Sequence, residues 1–311
     1  MSALQAVWFG AEQLSLDIAL AARYIVPIVW LLALWCWETW RPFMGGPQGR
    51  FRHAWRNLSI ALMNAAVIGL AFASLTAAVA DWTQRHAYGL LHAARLPQPA
   101  RFALGLVLLD LWMYVWHRAN HAIGLLWRFH RMHHSDRRVD VTTATRFHLG
   151  EHVGAWALRL GLIPLLGLDV WQLVAYDTLV LAVTQFHHAD ISIGRLDGWL
   201  RCFLVTPYMH KVHHSDWTPE TNSNYATVLS VWDRLFGSFR MREDPRTLVF
   251  GLREFSAPDW QGVWGMLKTP FATPTSAVEP ARRDEAARPN AADAAPPDPQ
   301  PAGAPHSFPP A

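Results

Sequence analysis

Eight histidines of this chain form three short clusters: His117 and His121 in W-H-R-A-N-H, His130, His133 and His134 in F-H-R-M-H-H-S, and His210, His213 and His214 in M-H-K-V-H-H-S. Twelve of the sixteen histidines lie between His117 and His214. Residues three or four apart are neighbours on a helix surface, so the imidazoles of each cluster can converge on one point. One structural zinc takes four ligands and a catalytic one usually three, so eight histidines aimed at one region imply two adjacent metals. Neutral imidazole binds iron, zinc and copper without adding charge, which leaves a metal pair strongly positive and, beside an apolar cavity, suited to oxygen chemistry on lipids. A dinuclear hydrolase would need bridging carboxylates and a base for water. A soluble di-iron oxygenase would need Glu-x-x-His pairs, and the clusters contain none.

The elements that must position these residues read as membrane helices. Of the 311 residues, 51% are hydrophobic and only 16% charged, away from an ordinary soluble enzyme. A first span fits Ile18 to Trp37, with Arg23 near one end and Trp35, Trp37, Trp40 and Arg41 as interfacial anchors. A second fits Ser59 to Ala80, without a charge, and a third runs from Phe102 to Val115 into His117. Two shorter stretches, Val153 to Leu168 and Val170 to Phe186, carry one charge each, Arg159 and Asp177, and read as two crossings or as a hairpin that enters and returns. The expectation is an all-α integral membrane protein with four or five membrane helices, including a helical hairpin, and a cytoplasmic, histidine-rich helical cap. Residues 1–101 would form the N-terminal membrane region, 102–255 the histidine-rich region, and 256–311 a C-terminal extension, disordered from about Pro274, where Ala, Pro, Asp and Arg dominate.

The link between the first two spans carries Arg41, Arg50, Arg52 and Arg56, which predicts a cytoplasmic side for that loop. With the second span leading out, the third in, and the hairpin returning, every histidine cluster reaches that same side. Against this stand Arg85, Arg95 and Arg101 on the supposed outer side. The first apolar stretch has no basic segment before it, so it reads as a retained anchor and not a cleaved signal. Cys36 and Cys202, in apolar surroundings, support neither a disulfide framework nor a thiolate site. No nucleic-acid motif accompanies the net charge of +3, which fits loops facing an anionic leaflet.

Asp110, Tyr114, His117 and His121 follow at spacings of four, three and four, one helical stripe. Asp110 is expected to accept the second ring N–H of a metal-bound imidazole, or else to pair with an arginine. Arg118, Arg131 and Lys211 each follow a cluster histidine and are expected to face away from the metals. Asn224 and Tyr225 are candidates to contact the last cluster, while His53, His86 and His92 read as surface or interface residues.

The order D-x-x-x-Y-x-x-H-R-x-x-H, H-R-x-H-H-S, F-H-H-A-D-I, H-K-V-H-H-S and N-Y-A-x-x-L-S-x-W-D-R-L-F-G-S-F, from Asp110 to Phe239, resembles the sterol desaturase and fatty acid hydroxylase superfamily of integral membrane di-iron oxidases. The resemblance implies two iron ions, O₂ as co-substrate, a lipid substrate taken from the bilayer and a separate electron-donor protein, ferredoxin- or cytochrome-like. It also implies a ninth ligand, carried onto His188, with His148 and His187 as further candidates and Glu151 as a supporting partner. Leu149 stands where the family usually has proline, and Ala226 where glycine commonly follows Asn-Tyr, which bears on loop shape near the substrate. The expected reaction is hydroxylation of an unactivated C–H bond in a membrane of bacterial inner-membrane type. A desaturase with the same centre is the near alternative, and a membrane metal-binding or transport protein the alternative of another class.

Overall fold

The computed structural model describes residues 25–46 and 48–273. The expected C-terminal tail and the start of the first span lie outside them. Among the described residues the regular structure is helical, with only isolated bridges at Leu204–Leu229 and Ser215–Phe250. In chain order the helices that matter are α1 (Ile25–Trp40), α2 (Arg50–Arg85), α3 (Leu90–Ala93), α4 (Gln98–Ala122), α5 (Gly124–His134), α6 (Leu149–Leu166), α7 (Val170–His188), α8 (Leu196–Leu200) and α9 (Pro207–His213).

Two of these, α2 and α4, are long and apolar enough to cross a membrane. Their 36 and 25 residues correspond to about 54 and 37 Å of helix, against about 30 Å for a hydrocarbon core. The helix α1 is shorter and apolar, and α6 and α7, with 18 and 19 residues, are close to the lower limit for a span. The most apolar stretch of α2 is only 11% buried, and Leu62 and Leu70 stand 73% and 87% exposed. An apolar helix with so little protein cover fits a lipid-facing surface and not the core of a soluble protein.

Successive long helices alternate in direction. At one end Gln84 of α2 donates to the Gly167 carbonyl at the α6–α7 turn, and Gln172 of α7 donates to the Arg101 carbonyl of α4. That turn is sharply made. Gly167, in the left-handed region at φ +83°, ends α6, and Asp169 with Gln172 forms a reciprocal capping box that starts α7. Gly89 passes so close that a Cβ there would lie 2.3 Å from the Gly167 nitrogen. Between these ends, Leu109, Ile163, Leu168, Leu173 and Tyr176 form the largest apolar core.

At the opposite end the start of α2, the end of α4, the start of α6 and the end of α7 meet, and α5 and α9 lie there. Glu38 at the end of α1 accepts from the Val141 and Asp190 amides and pairs with Arg50, which fixes α1 to the same end. All three histidine clusters therefore share one end of the helices.

Candidate metal centre

Nine histidines converge in two groups, their ligand atoms within 4.8 Å of one another in each. The first is His117, His121, His130, His134 and His213; the second is His133, His188, His210 and His214. The two H-x-x-H-H segments divide in mirrored fashion. His130 and His134 serve the first group and His133 the second, whereas His210 and His214 serve the second and His213 the first. Helical phase explains the division: i and i+4 lie about 40° apart, while adjacent residues diverge by about 100°. The His133 and His134 rings accordingly stand at 87°, and those of His213 and His214 at 88°.

Backbone acceptors fix several tautomers. His117 Nδ1 donates to the Tyr225 carbonyl at 2.8 Å, His213 Nδ1 to that of Ser223 at 2.6 Å and His188 Nδ1 to that of Thr184 at 2.7 Å. His130 Nδ1 donates to Glu151 at 2.9 Å and His121 Nδ1 to the side-chain oxygen of Asn222 at 3.2 Å. A carbonyl oxygen can only accept, so a neutral imidazole that donates from Nδ1 presents a bare lone pair on Nε2. Yet His117 Nε2 lies 3.1 Å from His130 Nε2 and 3.0 Å from His213 Nε2. In the second group His188 Nε2 lies 3.2, 3.2 and 3.0 Å from the Nε2 atoms of His133, His214 and His210. In the first group, where His117, His130 and His213 each donate from Nδ1, lone pairs thus face lone pairs and repel unless a cation lies among them; in the second, the bare Nε2 of His188 faces three imidazole nitrogens and can accept from at most one of them. Nitrogen ligands about 2.1 Å from a metal stand about 3.0–3.4 Å apart, so the donor set fits two metal ions.

Burial and neighbouring imidazoles push His133, His134, His210, His213 and His214 well below the ordinary histidine value, which keeps them neutral and ready to ligate.

The remaining expectations sort by geometry. His148 is in neither group: Nδ1 accepts from the Gly150 amide, capping α6, and Nε2 donates to the Leu267 carbonyl. His187 is also outside them. Its ring stacks on His210, 3.9 Å between centroids. Asp110 does not support His117, whose Nδ1 is taken by Tyr225; it accepts from Tyr176, Trp232 and the amides of Val228 and Leu229. Tyr114 bonds Ser238, and Asn224 holds the Met209 carbonyl and the Arg240 amide. The α4 stripe is real, but it docks the 222–238 segment, and that segment in turn supplies the acceptors for His117, His121 and His213. Lys211 turns from the imidazole groups to the Ala189 carbonyl, and Arg131 to the Thr269 and Ala272 carbonyls.

His53, expected at the surface or an interface, lies at an interface between α2 and the segment after α5, where it bridges Asp136 at 2.9 Å and Asp140 at 3.0 Å. Burial alone would raise Asp136, but the charges of His53 and Arg146 outweigh it and hold that carboxyl well below the usual range. Arg146 also binds the Met132 carbonyl and Ser135, fixing the end of α5.

Against the histidines lies a cavity of about 540 Å³ between α2, α4, α6 and α7, walled by Trp112, Met113, Trp116, Trp156 and Leu181 and floored by His117, His130, His133, His188 and His210. That size is typical of small-ligand sites.

A family model described as fatty acid hydroxylase matches residues 102–238. The chain is 32% identical over 212 residues to an ornithine lipid hydroxylase of Rhizobium tropici, covering 67% of this chain and 61% of that protein. It is 30% identical over 163 residues to the alkylglycerol monooxygenase of Danio rerio, covering 52% and 35%, and 30% identical over 143 residues to that of Homo sapiens, covering 46% and 31%. The chain thus spans less than two thirds of the length of these relatives. No solved structure matches it. The relatives are lipid hydroxylases and monooxygenases, and the matched residues hold all nine converging histidines. Through residues 102–238, the chain belongs to the fatty acid hydroxylase and sterol desaturase superfamily.

Proposed function

We propose that this protein is a membrane-bound, O₂-dependent non-haem di-iron oxidase that hydroxylates an unactivated C–H bond of a lipid. The observation that carries this reading is the pair of imidazole groups with converging ring nitrogens at the floor of an apolar cavity. His117, His121, His130, His134 and His213 would hold one iron, and His133, His188, His210 and His214 the other. Bound iron would supply reductive O₂ activation, with electrons from a separate ferredoxin- or cytochrome-like protein.

The protein's own part is positional. Trp112, Trp116 and Trp156 exclude water and hold hydrocarbon against the histidine floor. Glu151 keeps the Nδ1 proton of His130 in place, and the Tyr225, Ser223 and Thr184 carbonyls do so for His117, His213 and His188. Lipid reaches the cavity laterally, through α1, α2, α4 and the α6–α7 hairpin, which we assign as membrane-inserted. The histidine end, which carries Arg41, Arg50, Arg52 and Arg56, faces the cytoplasm of a bacterial-type inner membrane. The substrate belongs to the polar-headed lipids, the class in which the relatives' ornithine lipid and alkylglycerol fall.

Purified protein should contain two irons per chain and form a hydroxylated lipid only with O₂ and a reductant. Reversible uptake of several zinc ions without redox activity would refute this reading, and a new double bond in place of a hydroxyl would reassign it as a desaturase.

A further inference from the structure

Two charges sit midway along the α6–α7 hairpin and border the same cavity. Arg159 Nη1 donates to Asp177 Oδ1 at 2.7 Å, with the side chains only 15% and 20% exposed. Arg159 Nε and Nη2 are buried and have no hydrogen-bond partner among the described residues. These two nitrogens form one edge of the planar guanidinium, so their N–H groups point the same way, as a fork. Charged residues inside membrane helices are rare and mark substrate paths, and an unsatisfied buried N–H is costly. The fork calls for an oxygen acceptor.

Asp177 selects which acceptor. It already neutralises Arg159, so a second anion would meet a carboxylate beside it, whereas a neutral carbonyl oxygen would not. Resting on the lipid-oxidase reading, we infer that Arg159, oriented by Asp177, binds the acyl carbonyl of an ester- or amide-linked lipid in the cavity. Trp156, its ring 5.1 Å from the guanidinium carbon, holds the fork from one side. Arg159 lies eight residues beyond Glu151, and Asp177 ten before His187. The bound carbonyl is therefore about 12–15 Å from the histidine layer at helical rise. The lipid is oxidised at a carbon about that far from its carbonyl.

The test uses the protein as purified, in detergent and without O₂ or reductant, and two probes that differ by the carbonyl alone, methyl palmitate and methyl hexadecyl ether, in competition for binding. Wild-type protein should bind the ester about tenfold more tightly, the size of one or two charge-assisted hydrogen bonds. The variant Arg159→Met/Asp177→Leu replaces a buried ion pair by apolar side chains of similar size, which such sites tolerate. It should keep its helical content and iron loading yet bind the two probes equally. Arg159→Lys keeps the charge on Asp177 but lacks the fork, and should lose the preference as well, which decides the matter if the double variant fails to fold. The inference is overturned if wild-type protein shows no preference, whether it binds both probes or neither, or if the variants retain it. Iron content and O₂-dependent hydroxylation are measured separately. A carbonyl preference without iron or turnover leaves the lipid site and removes the oxidase; turnover without the preference does the reverse.

Discussion

The two histidine groups are built by different means. In the first, Tyr225, Ser223, Glu151 and Asn222 take the Nδ1 protons of His117, His213, His130 and His121, and only His134 has neither nitrogen engaged. In the second, only His188 has such an acceptor among the described residues, and the Nδ1 atoms of His133, His210 and His214 are buried without one there. Those rings are oriented by stacking instead: His133 on Phe147 at 4.3 Å and 12°, His210 on His187 at 3.9 Å and 19°, His214 on His134 at 4.7 Å and 21°. Hydrogen bonds fix a tautomer and raise basicity, whereas stacking fixes only the ring plane. The first group is thus preorganised for a metal, and the second would hold one in a softer frame.

The largest effect should come from removing a ligand. His117→Ala and His210→Ala should each abolish turnover. Iron stoichiometry then separates the groups: His210→Ala keeps one iron per chain in the preorganised group, whereas His117→Ala, lying in the tighter group, loses more. Equal residual iron in the two variants would erase the distinction.

Acid should act next. Burial keeps His133, His134, His210, His213 and His214 neutral in the folded protein, so each binds fewer protons than in the unfolded chain. Their folded values are depressed. Stability is therefore full above the unfolded value of about 6.5 and falls as pH drops below it, by about 1.4 kcal/mol per histidine per pH unit. Thermal midpoints of metal-free protein between pH 7.5 and 5.5 should decline steeply, and a flat profile would mean that the histidine layer opens to water without its metals.

Glu151 tests the preorganised group alone. Glu151→Gln should weaken iron at that position about 10- to 100-fold, while Phe147→Leu should disturb only the stacked group. Spectroscopy of the two iron environments distinguishes them, and identical changes in the two variants would show that the groups act as one.

How far the sequence discloses this arrangement depends on what carries each interaction. The clusters are legible because helical spacing places i and i+4 together, but their division is not: each H-x-x-H-H cluster is expected to converge on one point, whereas the 100° between neighbouring residues splits each of them between the two groups. The acceptors were not. Three of them are backbone carbonyls, at Tyr225, Ser223 and Thr184, and a carbonyl exists at every residue, so only the folded path of the chain shows which one points at an imidazole. Asp110 is legible as a purposeful carboxylate but not its neighbours, because its partners lie far along the chain, Tyr176 at 66 residues and Val228, Leu229 and Trp232 at more than a hundred. His53 gave no local signal; the clue was the acidic pair Asp136 and Asp140 just past the second cluster. Arg159 and Asp177 were visible as two isolated charges, and only the sharp turn at Gly167 brings them together.

Asp110 gives an effect that should leave metal affinity nearly unchanged at the start and reach it through the loop. Asp110→Asn replaces one acceptor oxygen by a donor, which faces either Tyr176 and the Val228 amide or the Leu229 amide and Trp232 Nε1. Each donor left without an acceptor costs about 1–3 kcal/mol. Thermal stability should fall by that order, and iron in the first group should become more exchangeable than in the second, because the displaced 222–238 segment carries acceptors for His117, His121 and His213 but none for His188. Equal exchange from both would place Asp110 outside this chain of support.

The smallest change is at Asn222, and it is the sharpest on the comparison. Its side-chain oxygen accepts from His121 at 3.2 Å, the longest of the Nδ1 bonds in the first group. Asn222→Ala should cost about 1 kcal/mol, a several-fold loss of iron affinity, and should turn His121 into a residue of the second kind, with its Nδ1 unengaged and its ring held by packing alone, on Trp127 at 5.0 Å and Tyr225 at 5.1 Å. If preorganisation is additive along the group, Asn222→Ala combined with Glu151→Gln should bring the exchange rate of the first iron toward that of the second. A double variant no worse than Glu151→Gln alone would mean that one anchored imidazole, His130, sets the affinity of the whole group.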